Sequence, residues 1–155
     1  MSLIPKADMD DVLNIRIIRL ASKLSLIFQR ETLRPAGIKV QEWRILISLA
    51  QFGELHLRAI ARHSSQDPAH TSRIVKSMVA QGWLTSRVDK TDQRRIQYEL
   101  TEAGTALVHQ HWPNAKQFAA DIRGLFSETE FKLFRDMLDR ANADCDERLS
   151  KNNDD

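Results

Sequence analysis

"DPAHTSRIVKSMVAQGW", residues 67–83, is the stretch on which the fold turns. Asp67 followed by Pro68 pairs a helix N-cap with a proline at the first helical position, where its missing N–H is no loss. If each residue turns the helix by about 100°, Ile74, Val75, Met78 and Val79 fall in one arc, with Thr71 at its upper end. Ala69, Arg73, Lys76, Ser77 and Ala80 stand opposite, and His70 and Ser72 lie on the flanks. Gly82 stops the pattern. The spacing predicts a short amphipathic helix whose outer face is polar and basic.

Upstream of it, "VQEWRILISLAQFG" predicts a helix with Trp43, Leu46, Ile47 and Ala50 inward, closed by Gly53. "LHLRAIARHS" predicts a shorter one with Leu57, Ile60 and Ala61 inward. Downstream, the apolar period changes from about 3.6 to two. "WLTSRV" and "IQYEL" alternate, with Ile96, Tyr98 and Leu100 on one side, and "DKTDQRR" lies between them. This reads as a two-stranded hairpin with a long basic tip.

Charge is distributed in the same sense. The chain has 155 residues and a formal net charge of +2. Arg58 to Arg95 alone contains eight Lys or Arg against three acids, whereas Ile96 to the end contains seven against twelve. A basic middle third is expected of a chain that meets a polyanion there.

Helices in close succession followed by a basic hairpin are the layout of a winged helix-turn-helix. A helix fits the major groove of B-DNA, where its side chains reach base edges. The hairpin tip, with Lys90, Arg94 and Arg95, reaches the neighbouring minor groove, where Arg gains from the negative potential. Arg73 is placed for the bidentate contact with guanine that Arg favours, and Lys76, one turn on, for a phosphate. His70, Thr71 and Ser72 occupy the first turn. Thr71 has a structural reading as well, because it falls inside the buried arc.

From Leu57 to Gly104 the chain resembles the DNA-binding core of the MarR family of bacterial transcriptional regulators. The resemblance is carried by Thr71 to Val75 in the recognition helix, Gly82 to Leu84, the wing motif Asp92-Gln93-Arg94, and Leu100-Thr101 with Gly104. It implies that Arg94 enters the minor groove and that Asp92 braces the wing by pairing with a nearby Arg. Many members have Asp-Arg-Arg where this chain has Gln93 in the middle and Arg95 beyond, so either Arg94 or Arg95 fits the groove.

The ends have a different character. Leu13, Ile17, Leu20, Leu24 and Ile27 step by four and three along a helix expected from about Asp10 to Arg34, ended by Pro35 and Gly37. A helix from about Glu102 is expected to kink or break near Pro113. Ser127-x-x-Glu130 is a capping box for a last helix, along which Phe131, Phe134, Leu138, Ala141, Cys145 and Leu149 again step by three and four. Spacing alone allows these seams to pack on each other or on a second copy. The family resemblance implies the second. The expected organisation is mainly α with a small β-hairpin wing, residues 37–104 forming the winged lobe and residues 1–36 and 105–155 the helical dimerisation region. A two-fold dimer prefers an inverted repeat in double-stranded DNA. The resemblance further implies release by a small aromatic or lipophilic effector, and repression rather than activation.

Other classes are disfavoured. There is no nucleophile elbow, phosphate-binding glycine loop, HExxH or cysteine cluster, so neither an enzyme nor a cofactor is expected. His109 and His111 face about 200° apart on a helix and do not easily share a metal ion. Cys145, the only cysteine, is expected as a small buried hydrophobe. Trp43, Trp83 and Trp112 are expected in the core or between lobes. No apolar run approaches the roughly 20 residues of a membrane span, and the start lacks a signal-peptide layout, so a cytoplasmic address is expected. A winged helix used only for protein contact is the alternative, and it would tolerate loss of Arg73 and Arg94.

Overall fold

Helix α1 (Leu13–Phe28) follows the expected apolar seam, but the chain does not simply stop at its end. A single π-helical turn over Gln29–Leu33 and a 3-10 turn over Arg34–Ala36 follow, and Gly37, at φ 71°, takes the left-handed conformation that ends them. The computed structural model describes residues 12–89 and 95–151. In the wider turn the side-chain amide of Gln29 reaches forward. Its Nε2 donates to the Ile38 carbonyl at 2.9 Å, and its Oε1 accepts from the Val40 N–H at 2.6 Å. One neutral side chain therefore ties the end of α1 to the start of the next helix.

Helix α2 (Val40–Phe52) is held at its first turn by the Glu42 carboxylate, which accepts from the Lys39 N–H at 2.8 Å. It buries a wider face than a one-sided amphipathic pattern suggests. Trp43 and Leu46 are buried as expected, but so are Ile45 and Leu49, while Ile47 is half-buried and Ala50 exposed. The reason is its central place: α3, α4 and β3 all pack on it.

Strand β1 (Leu55–His56) is only two residues long and leads directly into α3 (Leu57–His63), whose Ala59, Ile60 and Ala61 are buried. Helix α4 (Pro68–Ala80) then begins at the Asp67 cap. Strands β2 (Leu84–Val88) and β3 (Ile96–Leu100) pair antiparallel, Leu84 opposite Leu100 and Val88 opposite Ile96. β1 adds to the far side of β3, so the expected two-stranded hairpin is part of a three-stranded sheet in the order β1-β3-β2. Leu33, Ile38, Ile45, Leu46, Ile60, Val75 and Met78 are the enclosed centre of the lobe, and burying each Leu, Ile or Val contributes about 1.5–3 kcal/mol.

The "LTEAG" segment has a mechanical explanation. Thr101 N–H donates to the Trp83 carbonyl at 3.1 Å, and Thr101 Oγ1 donates to the Gly82 carbonyl at 2.6 Å and accepts from Gly104 N–H at 3.1 Å. These bonds press the first turn of α5 (Glu102–Arg123) onto the chain before β2. A Cβ at position 104 would lie 2.1 Å from the Trp83 carbonyl oxygen, so only glycine allows the approach.

Of the kink or break expected near Pro113, the break is not found: α5 runs through it without interruption. Proline removes one hydrogen bond and crowds the preceding turn, a penalty of about 3 kcal/mol, which the turns on either side of a 22-residue helix outweigh. The chain divides into two compact units, one up to Ala115 and one from Lys116 onward. In the second unit, α6 (Glu128–Lys151) starts at the expected capping box. Ser127 donates to the Glu130 carboxylate from N–H and hydroxyl at 2.8 and 2.7 Å, and Glu130 N–H returns a bond to the hydroxyl. These bonds hold the Glu130 carboxyl below its ordinary pKa. Cys145 is exposed in the single chain, contrary to expectation, and none of the residues of α6 whose burial is described is buried.

Candidate nucleic-acid interface

The first turn of α4 is built from Asp67. Its Oδ1 accepts from His70 N–H at 2.9 Å, and its carbonyl accepts both the Thr71 N–H and the Thr71 hydroxyl at 2.8 Å. Below the turn, Gln66 donates to the Gln41 carbonyl at 3.0 Å, fixing the turn before α4 to α2. The helix is thus held at its base by the Asp67 cap, by the Gln66 tie and by the buried arc of Thr71, Val75 and Met78.

The opposite face is free of the core. His70, Arg73, Lys76, Ser77 and Ala80 are exposed and Ser72 is half-buried. Arg73 and Lys76 join no ion pair among the described residues, so their charge is not neutralised internally. His70, Arg73 and Ser77 line a cleft of about 300 Å³ whose other wall is Lys39, Gln41 and Glu42. Thr71 is the correction to the expected contact set. It is 0% exposed with its hydroxyl committed to Asp67, so it stabilises the helix and offers nothing outward.

In the wing, Asp89 N–H donates to the Arg95 carbonyl at 2.9 Å, closing the base of the tip, and Gln97 Nε2 donates to Asp89 Oδ2 at 2.6 Å. Arg87 of β2 pairs with Glu54, just before β1. Arg95 is exposed. Lys90, Asp92 and Arg94 lie outside the described residues. The sequence reading passed over His56 and Arg58 as site residues, although Arg58 stands at the start of the basic stretch; the two-residue strand that brings them beside the wing leaves no periodicity to detect.

A second cleft, of about 520 Å³, lies between α2 and α5. Ile47, Ala50, Gln51, Val108, His109 and Trp112 line it. His111 is not among the lining residues, in keeping with the opposed directions of the two histidines. Of the tryptophans, Trp43 is buried and Trp83 half-buried, and Trp112 is 47% exposed at this cleft. Among the described residues, no helix is long and apolar enough to cross a membrane.

Residues 36–95 match the family model described as MarR family. The chain is 21% identical over 122 residues to YwaE of Bacillus subtilis, described as an uncharacterized HTH-type transcriptional regulator, covering 79% of this chain and 71% of that one. Two solved structures share the fold. One is a mutant MarR from E. coli complexed with operator DNA, with a TM-score of 0.78 and 18% identity, covering 89% of this chain and 99% of that one. The other is BpsR of Bordetella bronchiseptica, whose DNA binding is regulated by 6-hydroxynicotinic acid; its TM-score is 0.76 at 22% identity, covering 84% of this chain and 98% of that one.

Proposed function

We propose that this chain is a MarR-family winged helix-turn-helix protein, a DNA-binding transcriptional regulator rather than an enzyme, and that it works as a dimeric, sequence-specific repressor released by a small molecule; the match of residues 36–95 to the family model supports the first part. The observation that carries the reading is the two-sidedness of α4. Its inner arc is committed to the core, while Arg73 and Lys76 project from the other side with no internal partner among the described residues. In the proposed complex α4 lies in the major groove, with Arg73 on a base edge, Lys76 on a phosphate, and His70 and Ser72 at the DNA-facing end. Lys90, Arg94 and Arg95 serve the wing, with Asp92 as its brace.

Dimerisation is supported by what α1 and α6 leave uncovered. Leu13, Ile18, Leu20 and Leu26 on α1 and Leu133, Met137 and Leu149 on α6 are each about half exposed or more in the single chain. In the proposed organisation, residues 37–104 read DNA and residues 1–36 and 105–155 join two copies, so the site is an inverted repeat. The effector reading draws on the cleft between α2 and α5, which joins aromatic and apolar surface to the polar Gln51 and His109. BpsR supports it by likeness of fold, being itself regulated by a small aromatic acid. A ligand there shifts DNA affinity to the extent that it binds the two lobe arrangements unequally.

The test is selection of duplexes from a random pool, followed by a salt titration on the winner. An inverted repeat with a steep loss of affinity as salt rises is expected. On that site Arg73→Ala is expected to cost about 1–3 kcal/mol and to relax base preference at one position. Arg94→Ala weakens binding more evenly across sequences. Parent-like binding by both variants would return the chain to the protein-contact reading.

A further inference from the structure

Basic groups also gather away from α4, at the base of the wing. His56, Leu57 and Arg58 on one side and Arg95, Ile96 and Tyr98 on the other line an open cleft of about 440 Å³. The two walls are distant in sequence and meet because β1 pairs with β3, Leu55 opposite Tyr98 and His56 opposite Gln97. Among the described residues, none that lines it is acidic.

Each polar group in the cleft is suited to an anion. Arg58 is exposed and joins no ion pair among the described residues. His56 Nδ1 accepts from Ala59 N–H at 3.2 Å as the cap of α3, so the neutral ring carries its proton on Nε2 and is a donor there without being protonated. Tyr98 adds a hydroxyl, and Leu57 and Ile96 complete the walls. The Arg58 cation with the His56 and Tyr98 donors beside it makes a phosphate seat. Because the cleft is open and adjoins the wing, it suits a phosphate presented by a large ligand.

We infer that this cleft seats one backbone phosphate of duplex DNA, with Arg58 as its principal cation and His56 as a donor that fixes its position; the inference rests on the DNA-binding reading above. The seat adds affinity without reading sequence, and it lies on the opposite side of β3 from β2, so it extends the footprint past the wing.

The full chain is titrated against a fixed mixed-sequence duplex, followed by fluorescence anisotropy over a series of salt concentrations. Arg58→Ala is expected to lower the slope of log affinity against log salt by about 0.9 and to weaken binding about tenfold, equally for any sequence. Arg58→Lys, which keeps the charge, is expected to keep the parent slope, which separates the lost contact from a folding defect. A parent-like slope for Arg58→Ala overturns the inference while leaving the DNA-reading assignment intact. A parent-like slope together with inorganic phosphate shifting the His56 ring signals in NMR also overturns it, and assigns the cleft to free anions. A parent that binds no duplex in a salt-dependent way removes both readings together.

Discussion

The lobe from α2 to β3 and the helices α1 and α6 bury their apolar residues in opposite degrees. The lobe encloses Ile45, Leu46, Ile60, Val75 and Met78 completely, whereas among the described residues neither α1 nor α6 has a buried one. Both regions show seams of apolar residues at helical spacing, so the difference does not lie in patterning. It lies in what is available to cover the seam. In the lobe, helices and strand meet from several directions within a few dozen residues, and their faces close on one another. The terminal seams remain open in one copy, the state that the proposed dimer requires.

The sharpest way to break this comparison is in the lobe. Leu46→Ala is expected to cost about 2–5 kcal/mol, read as a lowered midpoint in denaturant unfolding. A loss under 1 kcal/mol would mean that the lobe core is far looser than its burial shows. The counterpart on α1 is Leu20→Asp. Leu20 is 48% exposed, so within one chain the change should stay within about 0.5 kcal/mol, but at a dimer interface it should cost about 2 kcal/mol or more. Sedimentation would show monomer replacing dimer while the circular dichroism of the lobe is retained; an unchanged sedimentation coefficient would remove α1 from the interface.

Smaller effects sharpen the contrast at the helix ends. Asp67→Ala removes the acceptor for His70 N–H and should lower lobe stability by about 1 kcal/mol, visible in thermal unfolding. Glu130 gives the smallest effect, and it depends on pH. Its folded pKa is lowered, so its contribution is complete above the ordinary carboxylate value and disappears as pH falls through the lowered one. Amide signals of Ser127 and Glu130 should then move toward frayed values in acid. Glu130→Gln should flatten that dependence, and an equal dependence in the variant would place the titration elsewhere.

Sequence was most informative where structure is local. The Asp67 cap, the inner arc of α4 and the stop near Gly82 all follow from neighbours within a few residues, and the structure has them as read. What the sequence concealed depends on distant partners. Ile45 and Leu49 are buried because three elements surround α2, β1 exists because β3 passes beside it, and the role of Gly104 depends on where the Trp83 carbonyl stands. At Pro113 the reverse holds for the expected break: the local signal for it was outweighed by the length of the helix. Within the candidate interface, the outward residues of α4 were legible from periodicity, whereas His56 and Arg58 needed a sheet partner to become neighbours.

The Gln29 bridge has a consequence for how the molecule responds to its surroundings. The joint between α1 and the lobe rests on an uncharged amide bonded to backbone groups, beside the Arg44 bond to the Ser25 hydroxyl, and the tie between the turn before α4 and α2 is again an uncharged amide. Amide bonds of this kind are indifferent to ionic strength, unlike the contacts proposed for Arg73 and Lys76 with a polyanion. Brine should therefore detach the protein from its template without bending it, whereas a wedge pressed between α2 and α5 could bend it in dilute buffer. Release by salt and release by ligand would leave two different shapes in solution.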